Sequence, residues 1–288
     1  MKFSVVIATK DRAPLLDAAL ASLRAQEGAP EYELVVVDNG STDATLDVAR
    51  AHGAAYAYVA EPNRGKARNA GIALATGDAI LFVDDDVVTP PHFLAAHAKA
   101  HRDEIFPLAV SGPILNVPDA SNRPEPAAAN FSRAFFVTCN VSVRAASLRA
   151  VGGFDEDFDL YGWEDTELGA RLRAHGVRRA FAWDAYLWHI KPPTPESLED
   201  ALGKAIEKAR MAARFVRKMP TARIKLATGA YAFNLARARV LAPALAQPLF
   251  AGLASSTRVP PALAQLARTA LLDSVYTDEL RRQLRRRD

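Results

Sequence analysis

Three consecutive carboxylates, Asp84-Asp85-Asp86, close the apolar run Ala79-Ile80-Leu81-Phe82-Val83. Like charges this close repel one another, and inside a sheet none would be solvated. At the carboxyl end of a buried strand the cluster instead suits a hard divalent cation, because Mg²⁺ and Mn²⁺ take oxygen ligands and share them with a substrate phosphate. Strand alternation aims Asp84 and Asp86 to one side and Asp85 to the other. The chemistry expected here is a cation and diphosphate site; the competing reading is a solvated acidic turn.

The elements that must position these carboxylates repeat a pattern. Phe3 to Ala8 is an apolar, β-branched run ending in Thr9-Lys10-Asp11-Arg12, and a helical period follows from Pro14 to about Gln26. Glu33 to Val37 is a second run, ending in Asp38-Asn39-Gly40-Ser41-Thr42-Asp43, with a helix over about Ala44 to His52 capped by Asp43 or Thr42. A strand over Ala54 to Val59, a helix over Gly65 to Ala75 and the strand over Asp78 to Val83 complete the series. This alternation predicts an α/β fold with a mostly parallel sheet flanked by helices, whose ligands bind beyond the carboxyl ends of the strands. The clusters at 9–12, 38–43 and 84–86 all fall there. Farther on, the expectations are a helix from Pro90 to about Arg102, a strand from Val110, a surface loop over 116–128 and a β-prone run over Phe135 to Val143. After these come a helix over Arg144 to Val151, another opened by Trp163 and ending at Gly176, and a last strand over Arg178 to His189.

With 288 residues, half of them hydrophobic, the chain can bury a sizeable core. One cysteine, Cys139, excludes an intrachain disulfide and a cysteine-based zinc site, and suits a reducing compartment. The amino terminus is too short and strand-like for a secretory signal, so a cytoplasmic protein is expected. The net charge of +3 conceals an asymmetry: residues 1–190 hold 18 Lys/Arg against 25 Asp/Glu, whereas residues 191–288 hold 18 against 8. The acidic part carries the candidate metal site, and the basic part suits an anionic partner.

Six blocks taken together, Val-Ile-Ala-Thr-Lys-Asp-Arg (6–12), Glu-Leu-Val-Val-Val-Asp-Asn-Gly-Ser-Thr-Asp (33–43), Asn-Arg-Gly-Lys-Ala-Arg-Asn-Ala-Gly (63–71), Asp-Asp-Asp (84–86), Gly-Gly-Phe-Asp (152–155) and Trp-Glu-Asp-Thr-Glu-Leu (163–168), resemble the family-2 glycosyltransferases of the GT-A fold in order and spacing. The resemblance covers about residues 3–190 and implies a nucleotide-sugar half over about 1–110 and an acceptor half over about 111–190. It implies that Asp38 accepts the N–H of the donor base, favouring uracil, with Thr9, Asp11, Arg12 and Asn39 around the nucleoside; the competing reading for Asp38 is a helix-capping or turn role. Arg68 and Asn69 fall on a donor-rich helix start; the competing reading is that they tie that helix to the acidic strand ends. Asp84 and Asp85 are further donor contacts, Asp86 and Asp84 the metal pair, and His189 an added ligand or a packed residue. His52, His92, His97, His101 and His175 lack ligand-like spacing and read as surface or packing residues. Asp165 is the candidate general base, with Glu164 its rival; the competing reading is that both only favour a helix N-terminus. Phe154 and Trp163 would stack on the acceptor sugar or belong to the core.

Residues 191–288 read as a basic helical region matching no family block. Leu198, Leu202, Ile206, Ala209, Ala213 and Val216 mark one helical face, and Ile224, Ala227, Tyr231 and Leu235 a second amphipathic helix. Val240 to Thr257 is uncharged for 18 residues, yet Pro243 and Pro248 interrupt it, which argues against a membrane span. The expectation is docking on the inner face of an anionic membrane, with plain packing or homodimerisation as the alternatives, and no nucleic-acid partner is expected. The function expected from these residues and this resemblance is that of an inverting glycosyltransferase dependent on Mn²⁺ or Mg²⁺. It would move a sugar from a UDP-linked donor to a hydroxyl of a glycan, lipid-linked or small-molecule acceptor. The rivals are a nucleotidyltransferase, which lacks its glycine-rich loop here, and a non-catalytic nucleotide-sugar-binding scaffold.

Overall fold

The computed structural model describes residues 1–102, 105–191, 196–241, 243–256 and 258–286, and the chain divides into two compact units. The first comprises Met1–Asp159 and Glu164–Pro193, the second Leu160–Trp163 and Thr194–Asp288.

The first unit opens with β1 (Phe3–Thr9), α1 (Ala13–Arg24), β2 (Tyr32–Asp38), α2 (Thr45–Ala51), β3 (Ala55–Tyr58), α3 (Arg64–Leu74) and β4 (Ala79–Val83). Every residue of β4 is buried, and so are all but Ala8 of β1, as expected of strands covered on both faces by helices. β1 pairs in parallel with β2 and with β4, and β2 with β3. Helix α3 lies close against β1 and β2 because Gly71 has no side chain: a Cβ there would stand 2.4 Å from Val6 Cγ1.

The chain continues through β5 (Val87–Val88), α4 (Phe93–His101), β6 (Leu108–Ser111), β7 (Ile114–Val117), β8 (Asn140–Arg144), α5 (Ala145–Ala150), α6 (Glu164–Ala174), β9 (Arg178–Phe181) and β10 (Leu187–Ile190). Seven strands form one sheet in the order β3-β2-β1-β4-β8-β6-β9, with β8 antiparallel to both neighbours; β5-β10-β7 form a small second sheet.

Three expectations need correction. The β-prone run Phe135 to Val143 is a strand only from Asn140, because the Thr138 amide is taken by the Asp165 carboxylate and the Asn140 amide turns back to Val137 O. The single strand expected over Arg178 to His189 is two strands in different sheets. Its chain turns at 182–186, where Ala185 N–H donates to Ala182 O and Asn140 Nδ2 holds Ala185 O. Helix α6 starts at Glu164 rather than Trp163, whose φ of 75° lies outside the helical region.

The second unit contains α7 (Leu198–Lys218), α8 (Ala222–Thr228), α9 (Ala232–Leu241), α10 (Gln247–Ser255) and α11 (Pro261–Arg285). Ser197 caps α7 by accepting from Asp200 N–H. Ala209, Ala212, Ala213 and Leu280 form the seam where α7 meets α11, small side chains permitting close approach. The one amphipathic helix expected around 224–235 is broken at Gly229, which adopts the left-handed conformation that ends α8. No helix among the described residues is long and apolar enough to cross a membrane.

Candidate active site

The site is assembled where β1, β2 and β4 end. Register places Thr9 beside Asp38, and Ile7 beside Val83, the residue before Asp84. Thr9 Oγ1 donates to Asp85 Oδ2 at 2.7 Å, and Arg12 donates to Asp85 Oδ1 at 3.0 Å and to Asp86 Oδ2 at 3.2 Å. Asp85 is therefore turned inward and consumed by this network, and burial pushes its carboxyl up despite Thr9 and Arg12.

Asp11 takes a left-handed backbone (φ 51°), which Asp tolerates better than most residues, and its carboxylate accepts from the amide and hydroxyl of Thr42. The loops after β1 and β2 are thereby fastened together. Asp38 is buried, its oxygens accepting from Ser41 N–H and from the Tyr56 hydroxyl, each at 2.7 Å. Asn39 donates its amide to Thr9 O and accepts Asn63 N–H at the start of α3.

Arg68 and Asn69 part company. Arg68 is almost fully buried, 3.2 Å from Glu164 Oε1 and 3.6 Å from Asp165 Oδ1, with its guanidinium 5.5 Å from the centre of the Phe154 ring. Burial alone would lower its pKa, but Asp165, Glu164 and Asp84 outweigh that and hold it above the usual arginine value. Asn69 instead clamps the turn after α5, accepting Phe154 N–H and donating to Phe154 O and Glu156 Oε1. The structure thus brings Arg68 to the carboxylates, whereas Asn69 holds the turn at 154–156 and not the acidic strand ends.

His189 reaches the acidic edge because β10 adds to β5, the strand just beyond the three aspartates. Ile190 N–H donates to Asp86 O at 2.7 Å, and His189 Nε2 then lies 3.0 Å from Asp86 Oδ1. Its Nδ1 lies 3.2 Å from Asn116 Oδ1. Asp86 Oδ1 is buried, with His189 Nε2 against it. A buried carboxylate and an imidazole nitrogen at this spacing, with Asp84 beside them, offer oxygen and nitrogen ligands of the kind that fit a divalent metal. Burial raises the Asp86 carboxyl, but contact with His189 and the charge of Arg12 prevail and hold it below the usual range. Asp84 behaves oppositely: burial beside two other carboxylates keeps it above that range, against Arg68. One ligand atom each from Asp84, Cys139 and His189 lie within 4.8 Å of one another.

Asp165 Oδ2 accepts both the amide and the hydroxyl of Thr138, each at 3.0 Å, while Oδ1 faces Arg68. The Asp165 side chain is 23% exposed against 9% for Glu164, whose carboxyl burial drives upward, with Asp165 adding to the rise and Arg68 opposing it. Asp165 is the reachable carboxylate of the two.

Phe154 corrects an expectation. It is buried, packed edge-on against Phe82 and Phe136 with centroids 5.6 and 6.5 Å apart, and offers no face to an acceptor. Trp163 belongs to the second unit, where its indole N–H donates to Lys208 O and its ring lies 6.2 Å from Phe215. His97 and His101 are packing residues, as expected, both buried against Ser142. Sequence reasoning missed Tyr56, Asn116, Thr138 and Cys139 as members of the site. Their only signal was position: Thr138-Cys139 ends the apolar run that leads into β8.

Residues 4–145 match Glycosyl transferase family 2, and residues 124–191 match the N-terminal domain of galactosyltransferase. The chain is similar to the validoxylamine A glucosyltransferase of Streptomyces hygroscopicus subsp. limoneus, 35% identical over 262 residues, an alignment covering 76% of this chain and 57% of that protein. It thus spans little more than half of that relative's length. Among solved structures, the mannosyltransferase PcManGT of Pyrobaculum calidifontis, in complex with GDP-Man and Mn²⁺, superposes with a TM-score of 0.61 at 20% identity, covering 98% of this chain and 86% of that one. The S. aureus TarS 1–349 complex with UDP-GlcNAc gives 0.54 at 22% identity, covering 98% and 91%. The sheet with its flanking helices is a GT-A fold, and the chain belongs to glycosyl transferase family 2.

Proposed function

We propose that the first unit is the catalytic domain of a metal-dependent inverting glycosyltransferase, which moves a sugar from a UDP-linked donor to a hydroxyl of a glycan, lipid-linked or small-molecule acceptor. The observation that carries this reading is the meeting of Asp86, His189, Arg68 and Asp165 from four separate segments on one strand edge. Asp38 and Asn39 receive the nucleoside beyond β2, with Asp11 and Thr9 beside them. Asp86 and His189 hold the cation with Asp84 adjacent, and a divalent ion bound there supplies Lewis-acid neutralisation of the departing nucleoside diphosphate. Arg12 and Arg68 add positive charge on either side of the aspartates. Asp165, oriented by Thr138, takes the proton of the acceptor hydroxyl as its oxygen attacks the anomeric carbon. Attack from the face opposite the leaving group inverts that centre.

The neighbours solved with GDP-Man, UDP-GlcNAc and Mn²⁺ support a nucleotide-sugar donor and a divalent ion. The relative named as a validoxylamine A glucosyltransferase supports a small-molecule acceptor. The second unit exposes Leu226, Phe233, Leu245 and Leu249 within a basic segment, which supports docking on an anionic lipid surface on the cytoplasmic side. Failure to sediment with phosphatidylserine vesicles at low salt overturns that attachment.

The test of the catalytic reading is a thermal-shift screen of UDP-glucose, UDP-GlcNAc and GDP-mannose with Mn²⁺, followed by donor turnover. A true donor stabilises the fold by mass action, and Asp86→Ala removes both the Mn²⁺ dependence and turnover. Binding without turnover favours the scaffold reading, and near-normal transfer by Asp86→Ala refutes the metal assignment.

A further inference from the structure

Phe131, Phe181 and Trp183 form an aromatic cluster that the catalytic reading leaves unused. Phe131 and Trp183 lie with centroids 6.2 Å apart and planes 27° from parallel. Phe181 braces both edge-on, at 4.9 Å and 5.1 Å. Its partners are nonetheless 46% and 44% exposed, large apolar rings left in water although neighbours fix them. The Arg179 guanidinium stands 5.3 Å from the Phe131 ring centre.

Strand register fixes where this cluster sits. Val83 pairs with Asn140, Ser111 with Val141, and Ser111 with Phe181. Phe181 therefore ends its strand at the same sheet edge as Asp84, three strand spacings away, about 14 Å. The displacement runs toward β8, β6 and β9, whereas Asp38 lies on the other side, toward β2. The cluster is on the side away from the nucleoside-facing strands and farther from Asp84 than the width of one sugar ring.

We infer that Phe131 and Trp183 form a platform for a saturated sugar ring in the part of an extended acceptor that is not itself glycosylated. The inference rests on the transferase reading of the acidic edge and deepens it by naming an extended acceptor. An aromatic face carries negative charge density and attracts the polarised C–H groups on the apolar face of such a ring. Arg179 disfavours a cationic ligand at the same place and supplies a donor for ring hydroxyls. The braced geometry means that little side-chain freedom is lost on binding.

The experiment titrates the full-length protein with cellotriose and with maltotriose, followed by saturation-transfer NMR, with UDP and Mn²⁺ thermal shifts measured in parallel. Wild type is expected to saturate ring C–H protons of at least one trisaccharide. Trp183→Ala and Phe131→Ala are expected to weaken that binding about fivefold, as loss of one stacking contact should. Trp183→Phe should restore it to within twofold, and the UDP shift should be unchanged in all three variants. Absence of binding to wild type by both trisaccharides, or equal binding by wild type and Trp183→Ala, overturns the platform. Failure of the transferase reading is separately visible, as loss of the UDP shift and of donor turnover in wild type.

Discussion

Acidification should weaken the first unit through two buried imidazoles, His97 and His101. His97 Nε2–H donates to Asn140 Oδ1, and its Nδ1 accepts the Ser142 hydroxyl, which in turn accepts from His101 Nε2–H. This chain needs His97 neutral, because a protonated Nδ1 cannot accept, whereas His101 Nε2–H donates in either state and its protonation is opposed by burial. Burial, with the neighbouring His101, pushes His97 down to about 3, and burial, with Arg144, pushes His101 down to about 4. In the unfolded chain both protonate near 6.5. The stabilisation is therefore full above pH 6.5, falls as the pH drops below it, and stops falling once each folded-state value is passed. At pH 5 each ring withholds its proton 1.5 pH units below its unfolded value, a loss of about 2 kcal/mol apiece and about 4 kcal/mol together. That is a large share of the roughly 5–15 kcal/mol that holds a domain folded. Asp84, Asp85 and Glu164, whose carboxyls are raised, act in the opposite sense and reduce the net fall. The comparison that isolates one ring is wild type against His101→Gln. Urea unfolding at pH 7.5 and 5.0, followed through Trp183 and Trp188 of the first unit, should show a pH-dependent loss about 2 kcal/mol smaller in the variant. Equal losses in the two proteins, or an imidazole resonance of His97 titrating above pH 6 in the folded state, would refute the reasoning.

Further tests follow from the same geometry. Asp165→Asn should lower kcat by about 10²–10⁴ while keeping the melting temperature, and near-normal transfer would remove Asp165 from the base role. Thr138→Val deletes the hydroxyl that orients Asp165 but keeps the amide bond; we expect a smaller fall in kcat than for Asp165→Asn, with donor affinity unchanged in a titration. Gly112→Ala should prevent the first unit from folding, because the new Cβ would stand 1.7 Å from the carbonyl oxygen of Ala185, and a folded, soluble variant would contradict that contact.

The strand and helix alternation over the first 83 residues was legible because both periods are local: buried strands read as apolar runs, and α1 carries its Leu16, Leu20 and Leu23 at helical spacing. The three polar clusters were legible for the same reason, each following its own strand. Phe154 misled because an aromatic residue in a motif looks alike whether it stacks on a ligand or on Phe82. The run 178–189 misled because β-propensity does not record which sheet a residue joins, and the turn at 182–186 is fixed by Asn140, more than 40 residues away.

By itself, the order of residues determined the fold class, the edge at which polar groups gather, the acidic triplet and the charge division between the two parts of the chain. Tertiary structure alone decided which carboxylates are reachable. It turned Asp85 into Thr9 and Arg12, set Arg68 between Glu164 and Asp165, and used the β5–β10 pairing to carry His189 to Asp86. The physical reason is that burial and charge pairing depend on distances through space between residues up to about a hundred positions apart, and local periodicity carries no record of them.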